Sequence, residues 1–396
     1  MSESNSYDAA VVGGGPIGSY LACRLADLGY KVVVLERSPE VGHAVCCTGI
    51  IGKECFERFD LPREAIAFSG SSCTVHSPAG KTIRLVKDSV QAYVVDRPTL
   101  DKVLASRASG AGAEYRLSTK VTGISVHSDG IRADVQSQGE AGVINARMAI
   151  IGNGFGFALT RKSGLGQVGD YVLGAQAEVP ANGTSEVEVY FGKDVAPGFF
   201  AWLVPRSEGR ALVGVLARRT PGVYMKKLLV KLADQGKIGQ DEATITYGGI
   251  PLRPLPRTYA DRLIAVGDAA GHVKPTTGGG IYYGLLGADI AAESIDRAMR
   301  EGDLSARRLR RYEKRWRDLL GRELDIGYWG RRLYERLGDN RIDQMFDIIA
   351  RNGVHDAMLQ SSDFSFDWHG TSILRAMRYK ELRLAVWSAA KSLLPF

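Results

Sequence analysis

A glycine motif between a strand pattern and a helix pattern constrains this sequence more than any other feature. Residues 7–12 read YDAAVV, the stretch GGGPIG follows at residues 13–18, and residues 19–28 repeat apolar side chains at helical spacing. A β-branched run over residues 31–35 then ends at Glu36. This order predicts a strand, a tight turn, a helix and a second strand parallel to the first.

Gly13, Gly15 and Gly18 match the G-x-G-x-x-G pattern of dinucleotide-binding turns. The first glycine permits the tight turn, the second lets the backbone approach a pyrophosphate, and the third lets the helix pack on the strand. The pyrophosphate then meets the N–H groups at the helix N-terminus. Glu36 is placed to accept a hydrogen bond from a ribose 2′-OH and to repel a 2′-phosphate. The motif therefore predicts a Rossmann-like domain that binds FAD or NAD rather than NADP.

The same glycine pattern recurs at residues 164–169, but without this context. The four residues before it, TRKS, form no strand pattern, and no helix-forming stretch follows. Because an isolated match is weak, we predict one dinucleotide site and no separate NAD(P)H domain.

A second strand, turn and helix pattern lies far along the chain. The run RLIAV at residues 262–266 precedes Gly267 and Asp268, the stretch TGGGI follows at residues 277–281, and an apolar helix pattern covers residues 282–299. A second turn of this kind indicates that the chain returns to the same ligand. With the first turn, it resembles the flavoprotein family that contains para-hydroxybenzoate hydroxylase and the geranylgeranyl reductases, which implies FAD as the cofactor.

The resemblance gives cofactor roles to the second turn. In that family the aspartate hydrogen-bonds the ribityl chain and the later glycines lie against the flavin ring, which implies these roles for Asp268, Gly280 and Ile281. One position departs from the family pattern. Asn153 stands where an aspartate is common, so any role that needs a carboxylate there is lost.

Further cofactor-binding residues follow from the same resemblance. The segment YVVDRPTLDK at residues 93–102 is similar to the family's arginine-bearing segment, so Arg97 is expected to face the FAD phosphates or the ribityl chain. The backbone of Val121 is expected to hold the adenine. Ile17 in the first turn and Arg37 after the second strand complete the predicted set.

The stretch PGFFAWLVP at residues 197–205 resembles the PxxYxWxFP motif of geranylgeranyl reductases. Phe200 replaces the tyrosine, and Val204 replaces the phenylalanine. In an extended chain Phe200, Trp202 and Val204 share one face. The resemblance implies that this face binds a prenyl chain, and packing within the core is the alternative.

The stretch VGHAVCCTGI at residues 41–50 resembles the reductase loop in which a cysteine runs beside the flavin. Cys47 aligns with that cysteine, Thr48 and Ile50 align with flavin-contacting neighbours, and Cys46 is an extra thiol. Cys47, His43 and a flavin-bound water are the candidates for the proton donor. Simple packing of the cysteine is the alternative.

The resemblance implies an FAD-dependent reductase acting on CH–CH groups. Its substrate would be a geranylgeranyl or polyprenyl chain in a lipid, quinone or prenyl diphosphate, and NAD(P)H or a ferredoxin-like carrier would supply the electrons. The alternative is an FAD-dependent monooxygenase or halogenase of an aromatic or polyketide-like substrate, although the WxWxIP-like motif of halogenases is absent.

The predicted fold class is α/β, with a Rossmann-like FAD-binding domain, an antiparallel β-sheet substrate domain and a helical C-terminal region. We place the first part of the FAD-binding domain at residues 1–165, with candidate substrate-domain strands near 61–94. The substrate sheet covers 166–249, the FAD-binding domain returns at 250–300, and the helical region covers 301–396.

Composition narrows the remaining partners and the compartment. Five cysteines are an odd number, all lie in the first fifth of the chain, and no pair has the spacing of a structural zinc site. The net charge is +7, but no nucleic-acid-binding motif accompanies it. The N-terminus lacks the pattern of a signal peptide, and no apolar run reaches the roughly 18 residues of a membrane span. We expect a cytoplasmic protein without metal or nucleic acid.

The C-terminal region repeats apolar residues at helical spacing among many cations. The pattern predicts helices over residues 307–320, 328–337, 342–351 and 371–394. Aromatic and aliphatic residues mixed with Lys and Arg are typical of a helix on a membrane surface. Helices that cover the substrate cavity would show the same pattern, so peripheral membrane contact and packing stay open as alternatives.

Overall fold

The computed structural model describes residues 7–43, 45–239, 243–362, 364–379 and 384 of the chain. The strands, in chain order, are β1 (Tyr7–Val12), β2 (Val32–Leu35), β3 (Ile50–Gly52), β4 (Ile66–Gly70), β5 (Ser72–His76), β6 (Thr82–Val86), β7 (Ala92–Val95), β8 (Glu114–Arg116), β9 (Thr119–Val126), β10 (Ile131–Ser137), β11 (Glu140–Ile151), β12 (Tyr171–Pro180), β13 (Val187–Tyr190), β14 (Ala201–Pro205), β15 (Arg210–Ala217), β16 (Thr246–Pro251), β17 (Tyr259–Ala260) and β18 (Leu263–Ala265).

The helices are α1 (Pro16–Asp27), α2 (Lys53–Arg58), α3 (Arg97–Gly110), α4 (Ala158–Lys162), α5 (Pro221–Asp234), α6 (Ile281–Arg300), α7 (Ala306–Tyr334), α8 (Asp339–Arg351), α9 (Val354–Leu359) and α10 (Gly370–Ala376). Single 3-10 turns lie at Arg63–Ala65 and Gly267–Ala269. Among the residues that the structure describes, no helix combines the length and apolarity that crossing a bilayer requires.

The chain divides into two compact units. Unit 1 takes its residues from 1–45, 97–171 and 250–322, and unit 2 takes its residues from 46–96, 172–249 and 323–396. The predicted domain boundaries differ from these bounds at several places. All of 46–96 lies in unit 2, and 166–171 lies in unit 1. The predicted C-terminal region is divided, with 301–322 in unit 1 and 323–396 in unit 2.

Unit 1 is built on a mainly parallel sheet with the strand order β17-β18-β11-β1-β2-β8, to which β10 and β9 add an antiparallel extension beside β11. Strand β2 is apolar throughout and β1 is apolar except for Asp8, as expected for strands that are covered on both sides. Because β1, β2, β11 and β18 are parallel, their carboxyl ends meet at one edge. The sheet order reverses at β1, which is where such sheets bind ligands.

Hydrogen bonds fix the start of three turns at that edge. The N–H of Gly13 donates to the carbonyl of Leu35 (2.9 Å), and the N–H of Gly152 donates to that of Val12 (2.9 Å). The N–H of Val266 donates to Ile151 (2.9 Å). The first and second glycine turns therefore leave the same edge of one sheet.

Unit 2 contains a seven-stranded sheet with the order β16-β12-β15-β14-β13-β5-β6. Its described registers are antiparallel except for the parallel pair β13–β5. Helix α5 covers one face with Met225, Leu228 and Leu232. A smaller antiparallel sheet has the order β3-β7-β4. The predicted fold class, a Rossmann-like α/β unit with a largely antiparallel second sheet and C-terminal helices, is confirmed.

The C-terminal helices differ from the prediction in one respect. The two helices predicted over residues 307–320 and 328–337 are a single helix, α7. Residues 320, 324 and 327 are all buried, so the apolar stripe continues through the segment that was expected to break the helix. The helix predicted over residues 371–394 begins as α10, and almost all of it beyond residue 379 lies outside the described residues.

Candidate cofactor and substrate sites

The first glycine turn, residues 13–18 of unit 1, is closed around its own backbone. Gly13 has a φ of +104°, and a Cβ atom there would lie 2.6 Å from the carbonyl oxygen of Gly152. A Cβ atom on Gly18 would collide with the carbonyl oxygen of Gly13. By contrast, a Cβ atom on Gly15 would meet nothing within 4 Å. The turn therefore packs tightly behind Gly13 and Gly18 and leaves open space at Gly15, where a ligand can approach.

Glu36 is held against this turn by two backbone groups. Its Oε2 accepts a hydrogen bond from the N–H of Gly14 (2.8 Å), and its Oε1 accepts one from the N–H of Ser38 (2.8 Å). Each carboxylate oxygen can accept a second hydrogen bond. The predicted bond to a ribose hydroxyl is therefore compatible with this arrangement.

Two helices of unit 1 begin at glycine turns without a side-chain cap. Helix α1 follows Gly15, and helix α6 follows Gly280. The first N–H groups of a helix have no partner within it and carry the positive end of its dipole. These two N-termini therefore offer donors that suit an anionic or carbonyl-rich ligand.

The second glycine turn is shaped by side chains. A Cβ atom on Gly280 would lie 2.5 Å from Oδ1 of Asp268, and one on Gly278 would lie 2.8 Å from Cδ1 of Ile250. A Cβ atom on Gly279 would lie 2.9 Å from Cε of Lys274. The glycines at this turn make room for a carboxylate, an aliphatic side chain and a buried lysine stem.

Asp268 carries a carboxylate that accepts no hydrogen bond from the described residues. Burial raises the pKa of this carboxyl group to about 6, and the positive charge of Arg97 opposes that rise. Arg97 itself forms a bidentate contact with Asp101, with Nη2 3.1 Å from both carboxylate oxygens. A ligand hydroxyl that donated to Asp268 would favour its ionised form.

A buried aromatic cluster lies beside the second turn. His272 is fully buried, and its ring centroid lies 4.7 Å from that of Trp316. Neither ring nitrogen of His272 has a hydrogen-bond partner in the described part of the chain. Burial and the positive charge of Arg317 lower the pKa of His272 to about 3, so its imidazole is neutral. This neutral histidine packs against the turn and cannot act as a general acid at neutral pH.

The other predicted residues of unit 1 occupy varied positions. Ile17 packs against Gly267 and Gly284, so its side chain joins the two turns. Val121 lies on β9, whose only partner strand among the described residues is β10. Arg37 is exposed, and His43 is exposed with Nδ1 3.8 Å from Oε1 of Glu40.

Asn153 was not in the predicted set, yet the structure places it at the first turn. A Cβ atom on Gly13 would lie 2.9 Å from its Cα. Its side-chain oxygen is buried and has no hydrogen-bond partner within the described ranges. The sequence signal for this residue was its position directly after the strand β11. The asparagine lacks the charge of an aspartate but keeps its hydrogen-bonding shape, and its amide oxygen is an acceptor without a partner among the described residues, next to the glycines.

The predicted cysteine loop lies against the sheet of unit 2. The hydroxyl of Thr48 donates to Oε1 of Gln176 on β12 (2.7 Å). A Cβ atom on Gly248, on β16, would lie 3.3 Å from Sγ of Cys46. Burial raises the pKa of the Cys46 thiol. Cys47 is half-buried, and Ile50 begins β3.

The predicted prenyl-binding segment forms β14 and the residue before it. Trp202 has only 9% of its surface exposed, and Val204 is fully buried. The Trp202 ring lies over Gly214 of β15, where a Cβ atom would collide with it. The ring centroids of Phe200 and Trp202 are 5.8 Å apart, so these two rings do meet on one face. The indole N–H of Trp202 is buried and has no partner in the described part of unit 2.

The loop before this strand is held by the end of α7, which the sequence did not predict. Nη2 of Arg331 donates to the carbonyl of Gly198 (2.5 Å), and the hydroxyl of Tyr334 donates to that of Phe199 (3.1 Å). The guanidinium of Arg331 lies 3.7 Å from the ring centroid of Phe199. Burial lowers the pKa of Arg331 to about 10, so it remains a cation at neutral pH.

Known proteins match nearly the whole chain. Residues 8–348 match the family model described as lycopene cyclase protein. Digeranylgeranylglycerophospholipid reductase 2 of Methanothermobacter thermautotrophicus is 34% identical, over 86% of this chain and 90% of that protein. Digeranylgeranylglycerophospholipid reductase of Methanocaldococcus jannaschii is 30% identical, over 89% of this chain and 93% of that protein. The chain belongs to this reductase family. The resemblance to geranylgeranyl reductases is thereby confirmed.

Solved structures show that this chain shares its fold with other proteins. A geranylgeranyl bacteriochlorophyll reductase-like protein from Thermoplasma acidophilum matches with a TM-score of 0.85 and 24% identity, over 98% of this chain and 99% of that chain. A halogenase solved in complex with FAD matches with a TM-score of 0.64 and 15% identity, over 98% of this chain and 95% of that chain. These likenesses establish the fold, and the halogenase with this fold binds FAD.

The residues of unit 1 fit a flavin dinucleotide. A Cβ atom on Gly15 would meet nothing within 4 Å, and the N-termini of α1 and α6 have no side-chain cap. The carboxylate of Asp268 and the side-chain oxygen of Asn153 accept no hydrogen bond within the described part of this reductase. Buried polar groups in proteins are normally hydrogen-bonded. A ligand with a pyrophosphate and a polyhydroxyl chain supplies partners of the required kinds.

Proposed function

We propose that this protein is an FAD-dependent reductase that saturates the C=C bonds of geranylgeranyl chains in a glycerophospholipid. The observation that carries the proposal is its 34% identity to a digeranylgeranylglycerophospholipid reductase over most of both chains. The halogenase has the same fold at 15% identity. Fold alone does not decide the reaction, so the sequence relatives decide the choice against monooxygenase or halogenase chemistry.

FAD is proposed to bind along the two glycine turns of unit 1. The turn at Gly13–Gly18 would hold the pyrophosphate, and Glu36 would accept the ribose hydroxyl. Asp268 would accept a ribityl hydroxyl, with Gly280 and Ile281 beside the ring. The remaining members of the proposed set are Ile17, Arg37, Arg97, Val121, Cys47, Thr48 and Ile50.

The reduced flavin supplies the hydride for alkene reduction. The chain itself must orient an unactivated double bond, exclude water and deliver a proton to the second carbon. Cys47 and His43 are the proposed side-chain sources of that proton, with a bound water as the alternative. The pKa of His272 is lowered too far for it to act as the acid.

The segment with Phe200, Trp202 and Val204 is proposed to recognise the prenyl chain. An isoprenoid presents only apolar surface, and each methylene that it buries contributes about 0.8 kcal/mol. The aromatic pair of Phe200 and Trp202 offers such a surface at the start of β14. Because the proposed substrate is a membrane lipid, we also propose peripheral contact of the protein with a membrane. The electron donor is proposed to be NAD(P)H or a ferredoxin-like carrier.

Anaerobic turnover tests the reaction. FAD-loaded protein, reduced with dithionite, is incubated with digeranylgeranylglycerophospholipid, and the products are analysed by mass spectrometry. A gain of two hydrogens for each reduced bond is expected. In a parallel incubation with air, a gain of one oxygen atom would instead identify a monooxygenase, and a lipid unchanged in the anaerobic incubation would contradict the proposal.

Replacement of Trp202 tests the substrate segment. Because removal of a buried tryptophan ring costs about 3–5 kcal/mol, Trp202→Phe is a better variant than Trp202→Ala. We expect the substitution to raise the KM for long prenyl substrates more than the KM for short ones, and to leave the flavin content unchanged. Trp329→Phe is the control, because it makes the same replacement at a tryptophan that is 62% exposed. Equal effects on long and short substrates would assign Trp202 to the core.

A further inference from the structure

Helix α5 of unit 2 exposes a face that combines unpaired cations with apolar side chains. Its buried residues Met225, Leu228 and Leu232 face the sheet. Positions 223, 226, 227, 230, 231 and 234 recur at the spacing of the opposite face, and all six are exposed. We call this set the α5 face; it consists of Val223, Lys226, Lys227, Val230, Lys231 and Asp234.

The cations of the α5 face lack acidic partners. Lys226, Lys227 and Lys231, together with Arg219 just before the helix, form no ion pair with a carboxylate among the described residues. Two of the lysines lie over tyrosine rings instead: Nζ of Lys227 is 5.9 Å from the ring centroid of Tyr224, and Nζ of Lys231 is 5.6 Å from that of Tyr190. One carboxylate, Asp234, accompanies three lysines on the face. The face therefore carries a net positive charge that the described part of the protein does not neutralise.

Large apolar groups are exposed between these cations. Val223 is 52% exposed and Val230 is 61% exposed. Tyr247, whose hydroxyl lies beside Gly222 at the start of the helix, is 61% exposed. Lysines that flank exposed apolar residues, with a tyrosine at the margin, match the chemistry of a bilayer interface, where ammonium groups reach anionic headgroups and apolar side chains enter the acyl boundary.

We infer that the α5 face is the surface with which this protein docks on an anionic lipid bilayer. The inference rests on the proposed function, because a reductase of membrane lipids must reach substrates in the bilayer. Charge complementarity selects the occupant, since the exposed lysines of this face and Arg219 have no carboxylate partner among the described residues. The exposed valines favour a lipid surface over an acidic protein carrier, which would need polar groups opposite them. The proposed docking surface therefore lies on α5.

Vesicle flotation tests the inference without turnover. The FAD-loaded full-length protein is mixed with vesicles of phosphatidylcholine alone or of phosphatidylcholine with an equal amount of phosphatidylglycerol. We expect binding only to the anionic vesicles, and weaker binding as salt is added. A lysine near an anionic surface contributes roughly a fivefold gain in binding. The variant Lys226→Gln/Lys227→Gln/Lys231→Gln should therefore bind roughly a hundredfold more weakly.

Two further variants separate a surface from a general effect of charge. Arg307→Gln/Arg310→Gln/Arg311→Gln removes the same charge from exposed positions of α7 and should bind as the wild type does. Val223→Ser/Val230→Ser keeps every charge and should weaken binding several-fold. Equal loss in the α5 and α7 charge variants, or unchanged binding by the α5 variant, would overturn the inference. Lysine-dependent binding to an acidic ferredoxin with no vesicle binding would overturn it as well.

The readouts also separate this inference from the proposed reaction. The α5 lysine variant should reduce detergent-solubilised lipid as fast as the wild type and should melt at the same temperature. Where the triple variant melts early, the single variant Lys226→Gln and the salt dependence of the wild type carry the test. A wild type that binds anionic vesicles but reduces no prenyl lipid would contradict the proposed reaction alone.

Discussion

The two glycine turns of unit 1 look alike in sequence but are constrained by different atoms. At the first turn, Cβ atoms on Gly13 and Gly18 would meet backbone oxygens. At the second turn, Cβ atoms on Gly278 and Gly280 would meet side chains, including the carboxylate of Asp268. Backbone atoms cannot move without the sheet or helix that holds them, whereas a side chain can rotate. The first turn is therefore a requirement of the fold, and the second is a requirement of the site.

Gly18→Ala should produce the largest effect. Its Cβ would collide with the carbonyl of Gly13, so the turn between β1 and α1 must open, and we expect a loss of about 3 kcal/mol in the free energy of unfolding. Urea unfolding of the apoprotein measures this loss. Gly15→Ala is the matched control, because its Cβ has open space. The control should keep its stability and bind FAD roughly tenfold more weakly, about 1.4 kcal/mol.

Equal stability of the Gly18→Ala and Gly15→Ala variants would contradict the claim that the first turn is a requirement of the fold. The same holds if Gly15→Ala unfolds, because the open space would then be needed for packing rather than for a ligand.

His272→Met should remove a pH dependence of folding that belongs to the second turn. His272 has a lowered pKa, so only the unfolded chain gains a proton as the pH falls below about 6.5. The stability contribution of the neutral ring is complete above that pH and decreases as the pH falls toward about 3. At pH 5 the loss is about 2 kcal/mol. Unfolding free energies at pH 8 and pH 5 should therefore differ by about 2 kcal/mol less in the variant.

The difference between the two pH values cancels any change in packing that methionine introduces. An unchanged difference would mean that His272 becomes protonated in the folded protein, and the lowered pKa would be wrong.

Gly280→Ala should have the smallest effect on folding and a selective effect on the cofactor. Its φ of −102° suits alanine, but the Cβ must displace the Asp268 carboxylate. We expect FAD to bind roughly tenfold more weakly, about 1.4 kcal/mol, while the apoprotein melts normally. Gly338→Ala at the start of α8 is the control, since its Cβ would meet nothing within 4 Å.

A double-mutant cycle sharpens the same point. Asp268→Ser shortens the side chain that blocks Gly280, so the combined variant should lose less affinity than the sum of the two single losses. Additive losses would show that Gly280 and Asp268 act independently.

Local patterns made the framework of this protein predictable. The strand over residues 7–12 and the helix after the first turn follow from apolar periodicity and the glycine spacing, and the structure reproduces them. The return of the chain to this sheet at Asp268 was predictable because the sequence there repeats the order of strand, glycine turn and helix. The fusion of two predicted helices into α7 was missed, because glycines at 321 and 327 resemble breaks when burial is unknown.

Contacts between distant segments were not predictable in the same way. The sequence indicates that Glu36 follows β2, but only the folded chain brings its carboxylate to the N–H of Gly14. The hydrogen bonds from Arg331 and Tyr334 to the loop before β14 join residues more than a hundred positions apart. Such pairs depend on the packing of whole elements, which periodicity and spacing do not encode.

The uncapped starts of α1 and α6 would make the stability of this protein dependent on a ligand that caps them. No side chain completes the first turn of either helix, and in the binding mode proposed above the cofactor would act as the cap. Flavin would then be a folding partner, and a concentration one hundred times its Kd would stabilise the native chain by about 2.7 kcal/mol. The amount of intact protein should therefore follow the cellular supply of flavin, because starvation leaves two helix ends open to unravelling and proteolysis.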